Sequence, residues 1–197
     1  MVNESRIKSG PIASRRGSPG WLHFRRFLAH PIRLAAVTSS SGMLSRLVAE
    51  QVGPVDDGVV LELGAGTGAV TRALLAAGVP TDKLIAVEID EEMVQFLRAA
   101  YPDVAVIEDC ALKIGQLLPP TAMGRVGAVI CGIPVSLLHF EQQRDLVAGM
   151  LSMLPPGRPF LMYTHRLGSP LPARKLGLVG KRLAFTLRNL PPASVWA

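Results

Sequence analysis

The apolar positions of the chain fall into short continuous runs that alternate with segments of helical period. Five such runs predict β-strands, at residues 59–63, 84–88, 104–107, 126–130 and 160–163. The segments between them space their apolar residues three and four apart, which predicts helices over 42–52, 69–77, 91–100 and 142–154. Strands that read as continuous apolar runs and alternate with helices are typical of a parallel sheet covered on both faces. Two further short strands, near 180–187 and 194–196, would complete a mostly parallel sheet of seven strands in an α/β domain.

The first 35 residues differ from this pattern. Residues 1–20 are rich in Gly, Ser, Pro and basic side chains, and residues 21–29 predict a helix that is apolar and aromatic on one face. An aromatic face bordered by arginines is what a helix lying in the plane of a membrane surface requires. We therefore expect an amphipathic, membrane-binding extension over 1–35 and a second region over 36–197; packing of the same helix on its own domain is the alternative. The residues expected at the membrane are Arg15, Arg16, Trp21, Phe24, Arg25, Phe27 and Leu28.

The composition indicates the cellular compartment in which the protein is expected. Hydrophobic residues make up 49% of the chain and the mean hydropathy is +0.33, yet no run reaches the roughly 18 apolar residues of a membrane-spanning helix. The N-terminus has no apolar stretch followed by a small-residue cleavage site, and two cysteines suggest no disulfide framework. We therefore expect a cytoplasmic protein.

The net charge of +6 is unevenly distributed. Residues 1–50 carry eight Lys/Arg and two acids, residues 51–157 carry six Lys/Arg and thirteen acids, and residues 158–197 carry seven Lys/Arg and no acid. An acidic centre suits a cationic ligand, whereas basic flanks suit phosphates or an anionic membrane surface. The plain alternative is an uneven distribution without a binding role.

A glycine-rich motif follows the first predicted strand and opens a helix. It reads Glu62-Leu-Gly-Ala-Gly-Thr-Gly68, and glycines there let the backbone turn tightly and approach a ligand. With Ala69 in place of the last glycine, the motif also fits a dinucleotide-binding fingerprint. The charge of Glu62 would repel a pyrophosphate, however, while it suits a ligand that bears an ammonium and a sulfonium.

Two more acids follow the next two strands. Glu88 ends the second strand, where it can accept hydrogen bonds from ribose hydroxyls, and Asp109 follows the third strand, where it can accept from an adenine amino group. Three acids at the carboxyl ends of three successive strands, with the glycine loop, match the pattern of class I methyltransferases. The expected fold is therefore the Rossmann-like methyltransferase fold, and the expected cofactor is S-adenosylmethionine, which leaves as S-adenosylhomocysteine.

The sequence after the fourth strand bears on the substrate. Methyltransferases of nucleobase amines often carry an Asn or Asp and an aromatic residue around a proline there, whereas this chain reads Cys131-Gly-Ile-Pro-Val135. A base would find neither an acceptor for its amine nor a ring to stack on, which argues against an rRNA adenine dimethylase.

Three stretches carry a resemblance to a known family: Ala36-Val-Thr-Ser-Ser-Ser41, the Gly-Ile-Pro turn, and the tail Arg188-Asn-Leu-Pro-Pro-Ala-Ser-Val-Trp196. With the glycine loop, they resemble the bacterial phospholipid N-methyltransferases, which are related to rRNA adenine dimethylases. The resemblance implies methylation of phosphatidylethanolamine, in up to three steps, toward phosphatidylcholine by a peripheral protein at the inner membrane face. One departure is the stretch Val135-Ser-Leu-Leu-His139, where relatives often have Leu-Leu-Asn-Phe. The implied cofactor residues are Ser40, Ser41, Glu62, Gly64, Ala65, Gly66, Gly68, Glu88, Ile89, Asp109, Cys110 and Cys131.

The chemistry of an amine headgroup adds further candidates. An ammonium with a pKa near that of lysine, about 10.4, must lose a proton before it attacks a sulfonium methyl group. His139 and His165 follow the fourth and fifth strands and are candidate bases, and Tyr163 is a candidate acceptor or cation–π partner. Backbone hydrogen bonding for each histidine and core packing for Tyr163 are the alternatives.

The headgroup and its phosphate need contacts as well. The candidates are Ile133, Arg166, Arg174 and Lys175, and the last two cations alternatively touch the bilayer surface in general. We expect no metal, no nucleic-acid partner and a monomer. The competing functions are an RNA adenine N-methyltransferase with RNA-binding basic flanks and a non-catalytic cofactor-binding module.

Overall fold

The computed structural model describes residues 42–53, 58–166, 168–189 and 191–197. These residues form one sheet of seven strands in the order β3-β2-β1-β4-β5-β7-β6. The strands are β1 (Val60–Leu63), β2 (Leu84–Glu88), β3 (Ala105–Glu108), β4 (Ala128–Cys131), β5 (Leu161–Thr164), β6 (Arg182–Thr186) and β7 (Ala193–Trp196). The first five are parallel, and β7 runs antiparallel to both β5 and β6. The expected seven-stranded, mostly parallel sheet is confirmed.

Helices connect the strands. Helix α1 covers 42–50, followed by α2 (Ala69–Ala76), α3 (Glu91–Ala100), the short α4 (Ile114–Leu117) and α5 (Phe140–Met153). Helix α3 shows why the boundaries fall where they do: the side chain of Asp90 accepts hydrogen bonds from the first-turn amides of Glu92 and Met93. The predicted helix at 21–29 and the whole 1–35 extension lie outside the described residues.

The sheet is covered on both faces. Neighbouring residues of β1 point to opposite sides, so Val60 packs in the cluster with α1 and α2, while Leu61 packs in the cluster with α4 and α5. Every residue of β1 is buried, as expected for a central strand with helices on both faces. No helix in the described part of the chain is long and apolar enough to cross a membrane.

The strand order reverses at β1. Strands β2 and β3 lie on one side of it and β4 and β5 on the other, so the connections leaving the carboxyl ends of β1 and β4 diverge. In open α/β sheets, ligands bind in the crevice that such a reversal leaves at the carboxyl edge. The glycine loop, Glu88, Asp109, Gly132 and Tyr163 lie at or beside this edge of the sheet.

Candidate functional site

The glycine loop after β1 adopts a conformation that requires glycine. Gly64, Gly66 and Gly68 have φ values of +77°, +53° and +72°, in the left-handed region. The amide of Gly64 donates to the carbonyl of Val87 at 2.8 Å, which fixes the loop to the end of β2. A Cβ at Gly64 would lie 2.6 Å from Cγ2 of Ile133. The loop therefore packs directly against the turn that follows β4.

Glu88 joins the glycine loop to the turn after β2. Its Oε2 accepts from the Gly66 amide at 2.7 Å, and its Oε1 accepts from the amides of Ile89 and Asp90 at 2.8 and 3.0 Å. The residue is 4% exposed. Because each carboxylate oxygen has more than one acceptor position, Glu88 can hold these loops and still accept from a ligand hydroxyl.

Glu62 is a buried carboxyl that is hydrogen-bonded to Thr71. It is 2% exposed, and its Oε2 accepts from the Thr71 hydroxyl at 2.6 Å. Burial raises its pKa to about 7 against the hydrogen bonds from the side chain and the backbone of Thr71, and the nearby Glu88 adds to the rise. A nearby cation would favour the ionised form of such a carboxyl. The buried pair Glu62 and Glu88 therefore fits a ligand with a positive charge, and not a pyrophosphate.

Asp109 lies next to Glu88 but is engaged with a lysine. Its Oδ1 accepts from the Cys110 amide and from Nζ of Lys113, both at 2.6 Å, and its own amide donates to the Glu88 carbonyl at 3.1 Å. Burial alone would raise the pKa of Asp109, but the hydrogen bonds from Lys113 and Cys110 outweigh it and lower the pKa. Sequence reasoning missed Lys113, although its place four residues after an aspartate on a helical segment indicates such a pair.

The turn after β4 meets the glycine loop and Tyr163. The amide of Gly132 donates to the carbonyl of Leu63 at 2.8 Å. A Cβ at Gly132 would lie 2.6 Å from the Tyr163 hydroxyl and 3.0 Å from the carbonyl of Gly64. Burial raises the pKa of Tyr163 far above its ordinary value, and Glu62 contributes to the rise, so this hydroxyl stays protonated. Cys131 at the end of β4 is also buried, which raises the pKa of its thiol to about 12.

Both histidines follow the predicted strands. His165 comes directly after β5, is exposed, and has its Nδ1 3.2 Å from the carbonyl of Pro191. His139 precedes α5 and is also exposed, with its backbone amide donating to the side chain of Gln142 at 3.0 Å. The contact of His165 is the backbone hydrogen bond that was its alternative interpretation, and the side chain of His139 likewise accepts from the Gln142 amide in the capping box that begins α5.

The candidate phosphate-binding residues are not brought together. Arg166 is exposed just after β5, and its amide donates to the Thr164 hydroxyl at 3.1 Å. Arg174 and Lys175 lie in the short 3₁₀ segment Ala173–Leu176. Ala173 lines a cavity with Phe160 and Trp196, where β5 begins, so these two cations lie at the opposite end of the sheet from the glycine loop.

Several candidates lie outside the described residues. They are the cofactor candidates Ser40 and Ser41 and the membrane candidates Arg15, Arg16, Trp21, Phe24, Arg25, Phe27 and Leu28.

The structure adds a residue that sequence reasoning missed. Asn189 is 1% exposed, and neither its Oδ1 nor its Nδ2 has a hydrogen-bond partner in the described part of the chain. The contact between His165 and Pro191 fixes its segment to the carboxyl end of β5. Leaving a buried amide unpaired costs about 1–3 kcal/mol, so its place beside the site calls for a reason. The sequence feature that could have pointed to Asn189 is its position just before two prolines in the tail motif.

Comparisons with known proteins agree with this geometry. Residues 60–157 match a family model described as a methyltransferase domain. The chain is 28% identical over 179 residues to the ornithine lipid N-methyltransferase of Singulisphaera acidiphila, covering 89% of this chain and 93% of that protein. It is 34% identical over 116 residues to the ribosomal RNA small subunit methyltransferase A of Azorhizobium caulinodans, covering 57% of this chain and 37% of that protein.

Solved structures show the same fold. An S-adenosylmethionine-dependent methyltransferase from Archaeoglobus fulgidus superposes with a TM-score of 0.51 and 16% identity, covering 75% of this chain and 58% of that one. Similarity at this level of identity concerns the fold alone, and it confirms the expected class I, Rossmann-like architecture. The chain thus spans nearly the whole of the lipid enzyme, but less than two thirds of the ribosomal RNA enzyme and of the solved structure.

Proposed function

We propose that this chain, whose residues 60–157 match a methyltransferase-domain model, uses S-adenosylmethionine to methylate the amine in the polar headgroup of a membrane lipid. The observation that carries the proposal is the alignment with the ornithine lipid N-methyltransferase, which extends over 93% of that protein. The alignment with the ribosomal RNA enzyme ends after 37% of its length, so it supports a shared core rather than a shared substrate.

The cofactor is proposed to lie over the glycine loop at the carboxyl edge. Glu62 would hold its ammonium, Glu88 its ribose hydroxyls and Asp109 its adenine amino group, with Ile89 and Cys110 beside them. When bound, S-adenosylmethionine supplies an electrophilic methyl group on a positively charged sulfur. Two buried acids, one with its pKa raised to about 7, suit a ligand with that charge.

The amine needs acceptors that hold it after it loses its proton. The Tyr163 hydroxyl lies beside Gly132 and stays protonated, so its oxygen can accept an N–H hydrogen bond but cannot act as the base. The Oδ1 of Asn189 is a second acceptor that is free in the described part of the chain. His139 and His165 are both exposed at the same edge, and both are our candidates for passing the proton to water through the ring nitrogen that does not contact the backbone.

Exposed apolar side chains at this edge favour a lipid. Leu137 is 53% exposed and Phe140 is 41% exposed, and both follow β4 on either side of His139. Apolar side chains that face water around a polar site suit a substrate whose headgroup stands in a bilayer. We propose phosphatidylethanolamine as the substrate, with Ile133 against the headgroup, Arg166 at the phosphate and the inner face of the bacterial membrane as the location.

Transfer of labelled methyl from S-adenosylmethionine tests this proposal. One tube holds vesicles of phosphatidylethanolamine and phosphatidylglycerol, a second replaces the amine lipid with an ornithine lipid, and a third holds ribosomal RNA. We expect label in the phosphatidylethanolamine, lost in Glu88→Ala and retained in Glu108→Ala, which removes an exposed carboxylate that ends β3. Label only in the ornithine lipid would correct the headgroup, and label only in RNA would refute a lipid substrate.

A further inference from the structure

Strand β6 forms one edge of the sheet and carries exposed apolar side chains. Val179, just before the strand, is 94% exposed; Phe185 within it is 43% exposed; Leu187, just after it, is 76% exposed. Single exposed apolar residues are ordinary on a soluble protein, but here three lie within nine residues along one strand edge. They run from the beginning of the strand to its end.

Cations alternate with these residues. Lys181, Arg182 and Arg188 are exposed, and the sequence from 146 to 197 contains no Asp or Glu. No carboxylate in the described part of the chain forms an ion pair with any of the three. The guanidinium of Arg182 lies 5.4 Å from the ring centre of Phe185 and 5.9 Å from that of Trp196, which holds a cation over aromatic side chains.

An apolar cavity of about 150 Å³ adjoins this edge. It is lined by Leu151, Phe160, Leu171, Leu178, Val179 and Trp196. Trp196 lies under Arg182, and Val179 reaches water, so the cavity is continuous with the exposed residues. Arg174 and Lys175, which the structure places away from the glycine loop, follow another cavity residue, Ala173.

We propose that this edge is a docking surface for an anionic lipid bilayer; we call it the β6 surface and define it as Val179, Lys181, Arg182, Phe185, Leu187 and Arg188. Apolar side chains that enter the interface and cations that meet lipid phosphates are the two components of peripheral membrane binding. The inference rests on the proposed lipid substrate and adds a contact that is independent of the N-terminal extension.

The direction of β6 relates this surface to the site. Strands β5 and β6 each run antiparallel to β7, so they are parallel to one another. Leu187 and Arg188 therefore leave β6 at the carboxyl edge, the edge at which His165 follows β5. A bilayer on the β6 surface would lie beside the edge where the headgroup must enter.

Two other occupants fit less well. Pairing of β6 with the same strand of a second copy is opposed by the cations on this edge and by the register irregularity between Arg182 and Ala184. An RNA backbone would neutralise the cations but leave Val179 and Leu187 in water. A bilayer accounts for both components of the surface.

Vesicle sedimentation of the full chain tests the inference, with phosphatidylethanolamine mixed with either phosphatidylglycerol or phosphatidylcholine. We expect Val179→Ser with Leu187→Ser to weaken binding to the anionic vesicles about tenfold, while Phe96→Ser, a 51% exposed residue on α3, leaves it unchanged. Lys181→Gln with Arg188→Gln should weaken it about twenty-five-fold, at roughly fivefold per cation, while Arg72→Gln on α2 has no effect.

The outcomes separate this inference from the proposed function. Three results would each overturn the β6 surface. They are wild-type vesicle binding by the folded Val179/Leu187 variant, equal binding of the wild type to both kinds of vesicle, and loss of dimerisation instead of vesicle binding in the variants. Methyl transfer to lipid dispersed in detergent should be the same in this variant and in the wild type. Strong vesicle binding without any methyl transfer to lipid would refute the proposed function and leave the surface standing.

Discussion

Replacing Glu62 by glutamine should stabilise the protein at pH 8 and leave its stability nearly unchanged at pH 4. The Glu62 carboxyl has an ordinary pKa of 4.5 when unfolded and about 7 when folded, because it is buried. Between these two values the folded state binds more protons than the unfolded state, so this group lowers the free energy of unfolding as the pH rises. The difference between the two pKa values corresponds to a loss of about 3 kcal/mol in the free energy of unfolding. This loss is complete above pH 7 and absent below pH 4.5.

Glutamine keeps the shape of the side chain and an oxygen for the Thr71 hydroxyl, but it does not titrate. The difference between wild type and Glu62→Gln therefore isolates this carboxyl from every other group. Urea unfolding of both proteins without ligand, at intervals from pH 4 to pH 8, measures that difference. We expect it to grow to about 3 kcal/mol in favour of the variant.

The same substitution should weaken the binding of S-adenosylmethionine. A cation next to Glu62 favours its ionised form, so binding near pH 6 should release a proton, and affinity should rise up to about pH 7. Calorimetry in two buffers of different ionisation enthalpy counts that proton. In the variant, the affinity should fall and the proton release should disappear.

A stability difference that stays flat from pH 4 to pH 8 would refute the burial argument. Unaltered affinity and proton release in Glu62→Gln would refute its role at the cofactor. Glu108→Gln is the matched control, because that carboxylate is exposed and pairs with Arg98 at 3.7 Å. It should change stability by less than about 1 kcal/mol at any pH.

Three further substitutions test the rest of the site. Gly132→Ala places a Cβ 2.6 Å from the Tyr163 hydroxyl and 3.0 Å from a backbone carbonyl. It should therefore lower the free energy of unfolding by about 1–3 kcal/mol, measured by thermal unfolding, and lower the turnover number. Wild-type stability and turnover would contradict the close packing. Glu88→Gln leaves one acceptor oxygen for three amides, so the free energy of unfolding should fall by about 1.5–3 kcal/mol. Its affinity for S-adenosylmethionine, measured by titration, should fall as well. Asn189→Leu should raise stability or leave it unchanged, because it removes an unpaired buried amide, while methyl transfer falls; unchanged transfer would exclude Asn189 from the site.

The fold could be predicted from the sequence because its signals are local. Each strand is a continuous apolar run, and the boundaries differ from the expected ones by a residue or two, as with β4, expected at 126–130 and found at Ala128–Cys131. The glycine loop was identifiable because three positive φ values require glycine in sequence.

The side-chain partners at the site could not be read in the same way. The pairing of Asp109 with Lys113, the clamp of Glu88 on Gly66 and the approach of Tyr163 to Gly132 depend on how loops from different strands meet. Arg174 and Lys175 show the same limit: they follow Arg166 closely in sequence, yet the connection from β5 to β6 carries them to the other end of the sheet. Burial of Asn189 likewise depends on how its segment folds against the residues after β5.

The lipid substrate is tested most directly in a living membrane. The full chain would be expressed in a bacterium that makes phosphatidylethanolamine but no N-methylated lipid, and its lipid extract would be analysed by mass spectrometry. We predict new phosphatidylethanolamine species heavier by one or more methyl groups, present with the wild type and with Glu108→Ala, and absent with Glu88→Ala. Unchanged lipids beside a stably folded, cofactor-binding protein would contradict the central claim.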